Sequence, residues 1–255
     1  MPLVETSIAD RVALVTLNDP DRRNVVTAAM NDQLVAAVDR LEDDPDVGAM
    51  VITGAPPAFS SGGHLDDLLA VDDGESLRSI YSGFLRVAGS SLPSIAAVNG
   101  AAVGAGMNLA LACDCIVAGQ SARFDSRFLQ IAIHPGGGHT WRLRHITDLQ
   151  TAKAMVLFGA VLSGSEAEAA GLAWRCYDDN ELVDRARDMA AVAAAGPPEL
   201  VQAIKSTFAA GLAVGSSDKA VDLELEPQVD STRQPAFHQF VADLKARIAA
   251  KTKSR

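Results

Sequence analysis

Cysteine is scarce in this chain of 255 residues, which has three. Cys113 and Cys115 stand two apart inside an apolar segment and Cys176 stands alone. That excludes a disulfide framework and a paired Cys-x-x-Cys metal site, and it reads as a reducing, cytoplasmic compartment. Cations are also outnumbered: 22 Lys and Arg against 32 Asp and Glu give a formal charge of -10, which repels a phosphate backbone, so nucleic acid is excluded as a partner. No hydrophobic run is long enough for a membrane span. The longest, Ile95 to Leu111, is interrupted by Asn99, Asn108 and three glycines. Met1 to Asp10 carries no basic region followed by an apolar stretch, so no signal peptide is expected.

Hydrophobic side chains make up 48% of the chain, enough for a sizeable core in one large domain or one domain with an appendage. Leu3 to Ile8 and Val12 to Leu17 are short β-type runs that suit an opening hairpin. Thr27 can cap a helix whose apolar positions Met30, Leu34, Val38 and Leu41 share one face. The apolar runs at Ala49 to Thr53, Ser94 to Val98 and Cys115 to Ala118 read as buried strands. Helices are expected over about Glu75 to Ser91 and Gly104 to Leu111. Buried strands alternating with helices imply an α/β fold with a parallel sheet. From about residue 196 only helical segments follow: Glu199 to Ala213, Ser217 to Leu225 and Ser231 to Ala250. The expected division is a core over residues 1–195 and a helical region over 196–255, which buries little surface alone and packs on the core or on a neighbouring subunit.

Two glycine-rich segments follow strands and open toward helices: Phe59-Ser60-Ser61-Gly62-Gly63-His64-Leu65 and Asn99-Gly100-Ala101-Ala102-Val103-Gly104-Ala105-Gly106. Backbone N–H groups left unpaired at such places can form an anion or oxyanion site. The alternative is that the glycines only permit tight turns and close helix–sheet packing.

With their surroundings, these segments resemble the enoyl-CoA hydratase/isomerase (crotonase) family. The resemblance rests on the two loops, Asn24 after Arg22-Arg23, Leu109 to Asp114, Pro135-Gly136-Gly137-Gly138, Arg142-Leu143 and Ala167 to Leu172, in the family's order across about Asn18 to Val183. It implies a ββα spiral core with a helical C-terminal trimerisation region, assembled as a homotrimer or homohexamer. The implied ligand is an acyl-CoA thioester of fatty-acid or other acyl-CoA metabolism, with coenzyme A part of the substrate and no separate cofactor or metal. Its carbonyl oxygen would be held by the backbone N–H groups of Gly63 and Ala105, stabilising an enolate. Arg22, Arg23, Val25, Ser61 and Gly63 would line the substrate site, with the two arginines facing phosphates.

The pattern breaks at its acid/base positions. The family motif places Asn108 on the first glutamate of the hydratases and Phe128 on the second, which isomerases also use. An amide orients water without accepting its proton, and a phenyl ring does neither, so hydration or isomerisation by glutamates (ordinary lyase chemistry) is not expected. His64, where the family has aspartate, is a candidate acid/base group; the alternative is a structural role in local hydrogen bonding. Asp125 either turns toward the same place or lies on the solvated surface. Asp114 is assigned a structural role. Three histidines, His134, His139 and His145, fall near the glycine turn without metal-ligand spacing. Trp141 is expected to pack, and Phe124, Phe128 and Leu129 to form an apolar pocket wall. Asp66 stands where relatives have a lysine, Lys205 is a minor candidate, and the basic tail of Lys245, Arg247, Lys251, Lys253 and Arg255 either reaches the nucleotide or is solvated. Three functions remain open: an enzyme with substitute acid/base groups, a silent acyl-CoA binder or carrier, and another reaction such as thioester hydrolysis or decarboxylation.

Overall fold

A computed structural model describes the backbone of residues 1–253 and side chains as far as residue 249. The side chains of Lys251 and Lys253, and Arg255 altogether, lie outside the described residues. The chain forms two compact units, residues 1–195 and residue 196 onward.

The first unit contains ten strands: β1 (Val4–Ala9), β2 (Val12–Leu17), β3 (Ala49–Gly54), β4 (Ala58–Ser60), β5 (Ser94–Val98), β6 (Ala101–Val103), β7 (Cys115–Gly119), β8 (Arg123–Asp125), β9 (Leu162–Ser163) and β10 (Arg175–Tyr177). Its helices are α1 (Ala28–Glu42), α2 (Leu65–Leu69), α3 (Gly74–Ile80), α4 (Ser82–Ala88), α5 (Ala105–Ala112), α6 (His139–Ile146), α7 (Leu149–Phe158), α8 (Gly164–Ala169) and α9 (Leu182–Ala194). One sheet has the order β1-β2-β3-β5-β7-β10, parallel except for the β1-β2 hairpin. The other has the order β4-β6-β8-β9. The chain therefore alternates between sheets, β3 then β4, β5 then β6, β7 then β8, and winds as a spiral of repeated strand pairs.

Alternating side chains give the large sheet two buried faces. Val51, Ile95, Ala97 and Val117 point toward α9, whose Leu182, Ala186, Ala190 and Ala194 recur every four residues on one stripe. These small residues admit a close approach: a Cβ at Gly48 would lie 2.7 Å from the Ala194 Cα. Met50, Ile52, Ala96 and Val98 face the main core with Phe59 and Phe124 of the small sheet, both fully buried. Truncating either phenyl ring to alanine would cost about 3–5 kcal/mol.

Thr27 caps α1 by accepting from the Met30 N–H at 3.1 Å, and Met30, Leu34, Val38 and Leu41 are its buried face, as the spacing predicts. The single helix expected from Glu75 to Ser91 is instead α3 and α4, broken at Tyr81. Strands β4, β6 and β8 are three residues each, too short for periodicity to reveal, and they pass for loop in the sequence.

The second unit holds α10 (Pro198–Gly211), α11 (Ser217–Arg233) and α12 (Pro235–Lys253). Helix α11 runs through Pro227 without stopping, eight residues beyond the expected end at Leu225. Leu200, Ile204 and Phe208 on α10, Leu212 just after it, and Val221 and Leu225 on α11 are exposed.

Candidate functional site

The first glycine segment is fixed from one side by residues 22–26. Asn24, at φ +54°, is fully buried: its Oδ1 accepts from the Asp19 N–H at 2.8 Å, and its Nδ2 donates to the carbonyls of Ala55 and Ala58. An Asn side chain tolerates that left-handed backbone and satisfies the turn locally. The Ser61 N–H then donates to the Arg23 carbonyl at 2.9 Å, and its Oγ to the Arg22 carbonyl at 3.2 Å. The Val26 N–H donates to the Gly62 carbonyl and the His64 N–H to the Val26 carbonyl, a parallel bridge centred on Val26 and Gly63. That pairing uses the groups flanking Gly63 and turns the Gly63 N–H to the opposite side.

The second segment leaves β6 through Gly104 at φ +51°, whose N–H donates to the Asp125 carbonyl at 2.9 Å. Ala105 opens α5, and a first-turn N–H has no acceptor within its own helix. Ala105 has no positive φ, so a residue other than glycine fits there without strain. Among the described residues neither the Gly63 nor the Ala105 N–H is hydrogen-bonded. The two segments touch: a Cβ at Gly63 would lie 3.8 Å from the Ala105 Cβ. Both line one cavity of about 570 Å³ whose wall is largely apolar, with Val25, Leu68, Ile80, Val103 and Phe128.

Asn108, one turn into α5, also faces this cavity, although it is 1% exposed. Its Nδ2 donates to the Gly136 carbonyl at 3.1 Å, and its Oδ1 lies 2.8 Å from Nδ1 of His139, at the start of α6. Nε2 of His139 lies 2.9 Å from Oγ of Ser126, in the loop after β8. His139 is buried and its conjugate acid is lowered to about 4, first by burial and second by the Arg142 guanidinium. Arg142 is itself lowered by burial and donates to the Gly137 carbonyl at 2.5 Å. The Phe128 ring meets the His139 ring edge-on at 4.9 Å between centroids. A buried histidine therefore lies between the Asn108 amide and the Phe128 phenyl ring.

His64 lines the cavity, but its Nδ1 faces Asp67 at 3.4 Å, across the start of α2. Arg22 pairs with Asp19 at 2.8 Å, and Arg22 and Arg23 are exposed beside Ser61 and do not line the cavity. Val25, Ser61 and Gly63 do line it. Two other expectations need correction. Asp125 is buried and paired with Arg127 through Nε at 2.8 Å, so it is neither solvated surface nor free for catalysis. Phe124 belongs to the core and Leu129 is exposed, which leaves Phe128 of the three on the cavity wall. Trp141 is half exposed and packs against the His145 ring. The start of α6 directs His139 inward, onto Asn108.

Asp114 accepts from the N–H and Oγ of Ser94, at 2.8 and 2.9 Å, joining the end of α5 to β5. Ser126 and Tyr81 line the cavity and were passed over in the sequence, where His139 stood only as one of three histidines near the glycine turn. Tyr81 lines the cavity, and burial raises its phenol pKa. The signal for His139 was its place straight after three glycines, where a turn can aim a side chain inward. No group of three or more metal-ligating side chains occurs among the described residues. No described helix is long and apolar enough to cross a membrane.

The alternating two-sheet spiral and its paired loops define a class, and comparison with known proteins places the chain in it. The family model for enoyl-CoA hydratase/isomerase matches residues 7–246. The probable enoyl-CoA hydratase EchA14 of Mycobacterium tuberculosis is 48% identical over 91% of this chain and 93% of its own length. A probable enoyl-CoA hydratase of Rhodobacter capsulatus is 38% identical over 82% of each chain. Among solved structures, a putative enoyl-CoA hydratase from Streptomyces coelicolor superposes with a TM-score of 0.87, at 29% identity over 96% of this chain and 92% of that one. The chain belongs to the enoyl-CoA hydratase/isomerase family.

Proposed function

We propose that the cavity binds a CoA thioester with its carbonyl oxygen between the N–H groups of Gly63 and Ala105. The observation that carries this reading is that two separate strand-to-helix segments bring unspent backbone donors to the same apolar cavity. Backbone donors held by β4, β6 and α5 need no rearrangement when charge develops on the oxygen, and each well-placed donor is worth roughly 3–4 kcal/mol of transition-state stabilisation. The acyl chain occupies the wall formed by Val25, Leu68, Ile80 and Phe128, and Arg22 and Arg23, beside Ser61, meet the phosphates of the nucleotide.

Hydration through paired glutamates is not part of this reading. Asp66 is the one carboxylate lining the cavity among the described residues, and its side chain is 86% exposed. The Asn108 amide is held by Gly136 and His139 and is no base. Calorimetric titration with butyryl-CoA, crotonyl-CoA and free CoA tests the reading: the thioesters bind more tightly than free CoA. Equal affinities would remove the role of Gly63 and Ala105. In parallel, crotonyl-CoA is hydrated no faster than in buffer.

The helices from residue 196 serve oligomerisation in this proposal, giving a homotrimer or homohexamer. The exposed Leu200, Ile204, Phe208, Leu212, Val221 and Leu225 support it, because an apolar face of this extent is rarely left to solvent. Light scattering of the full chain decides it, and a monomeric mass would contradict it.

A further inference from the structure

Two polar side chains of the cavity wall, Ser126 and Asn108, are joined through His139 behind them into a chain that the oxyanion-hole reading does not use, and each of the three is 1% exposed. Their donor and acceptor roles follow from chemistry. The Gly136 carbonyl only accepts, so the Asn108 atom facing it at 3.1 Å is Nδ2, and Oδ1 faces His139. Oδ1 only accepts, so Nδ1 of His139 carries a proton. A neutral imidazole has one N–H, so its Nε2 holds a lone pair, and the Ser126 hydroxyl at 2.9 Å donates to it. The neutral form is the relevant one, because burial and Arg142 hold the conjugate acid at about 4. Hydroxyl to imidazole to amide is the order of a nucleophile, its base and the group that orients the base.

The sheet places this chain beside the two backbone donors. Val103 of β6 pairs with Asp125 of β8, so the next residues, Gly104 and Ser126, are neighbours; a Cβ at Gly104 would lie 3.9 Å from the Ser126 carbonyl oxygen. Ala105 is one residue further. Ser126, Asn108, Gly63 and Ala105 all line the same cavity.

We propose that Ser126 is an acyl-accepting nucleophile, with His139 as its base and Asn108 as the positioning residue, so that the protein hydrolyses a bound thioester through an acyl-serine. This rests on the reading that the cavity binds a CoA thioester. In the first half-reaction the Ser126 Oγ bonds to the thioester carbonyl carbon and its proton passes to Nε2 of His139. The oxygen that becomes negative sits on the Gly63 and Ala105 N–H groups. The C–S bond then breaks, and the CoA sulfur leaves as a thiol with the proton from Nε2. In the second half-reaction water attacks the ester carbon, Nε2 takes its proton, and the Ser126 oxygen leaves and recovers that proton. The products are a carboxylic acid and CoA, with no redox change. Asn108 holds the right tautomer but brings no charge to the imidazolium, and Arg142 opposes it, so turnover is slower than with a carboxylate in that place.

The test uses the full chain with butyryl-CoA and decanoyl-CoA. Thiol release is followed by a disulfide dye, acid-quenched samples are weighed by mass spectrometry, and affinity is measured by calorimetry. The expected result is thiol release well above buffer, an acyl adduct on the peptide containing Ser126, and a rate that falls only as the pH approaches 4. Ser126→Ala and His139→Gln are expected to lower release by about 10³-fold or more while Ser126→Ala keeps thioester affinity within about threefold. Ser126→Cys, which keeps a nucleophile on a side chain only slightly larger than serine, is expected to acquire the adduct at position 126 and decides the matter where the alanine variant fails to fold. Thioester binding without thiol release or adduct would overturn the relay and leave the binding reading standing. Release at the wild-type rate from Ser126→Ala would do the same. Absence of thioester binding altogether would overturn the binding reading and the relay with it.

Discussion

Nδ1 of His139 donates to Oδ1 of Asn108 at 2.8 Å, inside the protein and behind the wall of the cavity that Asn108 lines with Gly63 and Ala105. The amide is held in that sense by the Gly136 carbonyl behind it. Asn108 therefore serves two buried partners at once. Asn108→Leu, close in size, leaves the His139 N–H and the Gly136 carbonyl without partners and is expected to destabilise the fold by about 2–4 kcal/mol. Urea unfolding measures the loss. Nitrogen chemical shifts of His139 provide the second readout: a protonated Nδ1 and a bare Nε2 in the wild type, and a mixture of tautomers in the variant.

Acid stability separates two groups by pH. His139 has its conjugate acid lowered from 6.5 to about 4, so between these values the unfolded chain binds more protons than the folded one. Stability is complete above about pH 6.5 and falls as the pH drops toward 4, by an amount on the order of 3 kcal/mol at 1.36 kcal/mol per pH unit. His139→Gln removes this dependence, which melting temperatures collected from pH 7 to pH 4.5 will show.

Glu42, at the end of α1, covers the lower window. Burial alone would raise its pKa, but hydrogen bonds from Arg86, Ser90 and Ser91 outweigh burial and bring it from 4.5 to about 2. Its Oε1 accepts from Ser90 Oγ at 2.8 Å and Ser91 Oγ at 3.0 Å, tying α1 to the approach to β5. The stability it contributes is present above pH 4.5 and is lost as the pH falls toward 2. Glu42→Gln is expected to cost about 2–4 kcal/mol at pH 7 and little at pH 2. Denaturant midpoints at the two pH values check the difference.

Adjacent glycines in the first loop answer differently to the same methyl group. Gly62 has φ +100°, and a Cβ there would lie 2.7 Å from the Val103 carbonyl oxygen. Gly62→Ala is expected to destabilise by about 1–3 kcal/mol. Gly63 is not in the left-handed region, and its Cβ would meet Leu68 and Ala105 side-chain atoms at 3.7 and 3.8 Å, ordinary contact. Gly63→Ala keeps the fold within about 0.5 kcal/mol of wild type but places a methyl between the two loops, weakening thioester binding. Denaturation curves and calorimetry on both variants separate the effects.

How far this was legible in the sequence varied by element. Thr27 and the stripe Met30, Leu34, Val38 and Leu41 announced α1, because an amphipathic period and a cap are local signals. The paired glycine loops were visible as motifs, and their family order carried the fold. Tyr81 was read through as helix interior, because nothing in its neighbours marks the break. Asp125 was left between the cavity and the surface and is in neither place: it ends the short strand β8, buried and paired with Arg127, a contact between near neighbours that periodicity does not reveal. His139 was seen but not understood: its meaning depends on Ser126 and Asn108, which are 13 and 31 positions away and meet it only in three dimensions.

The most direct test of the thioester site is the infrared stretch of the ligand's own carbonyl. With butyryl-CoA labelled with carbon-13 at the thioester carbonyl, two N–H donors from Gly63 and Ala105 polarise the C=O bond, so its band moves to lower frequency on binding, and the shift shrinks in Gly63→Ala. A bound thioester whose carbonyl band stays at its free position would contradict the account.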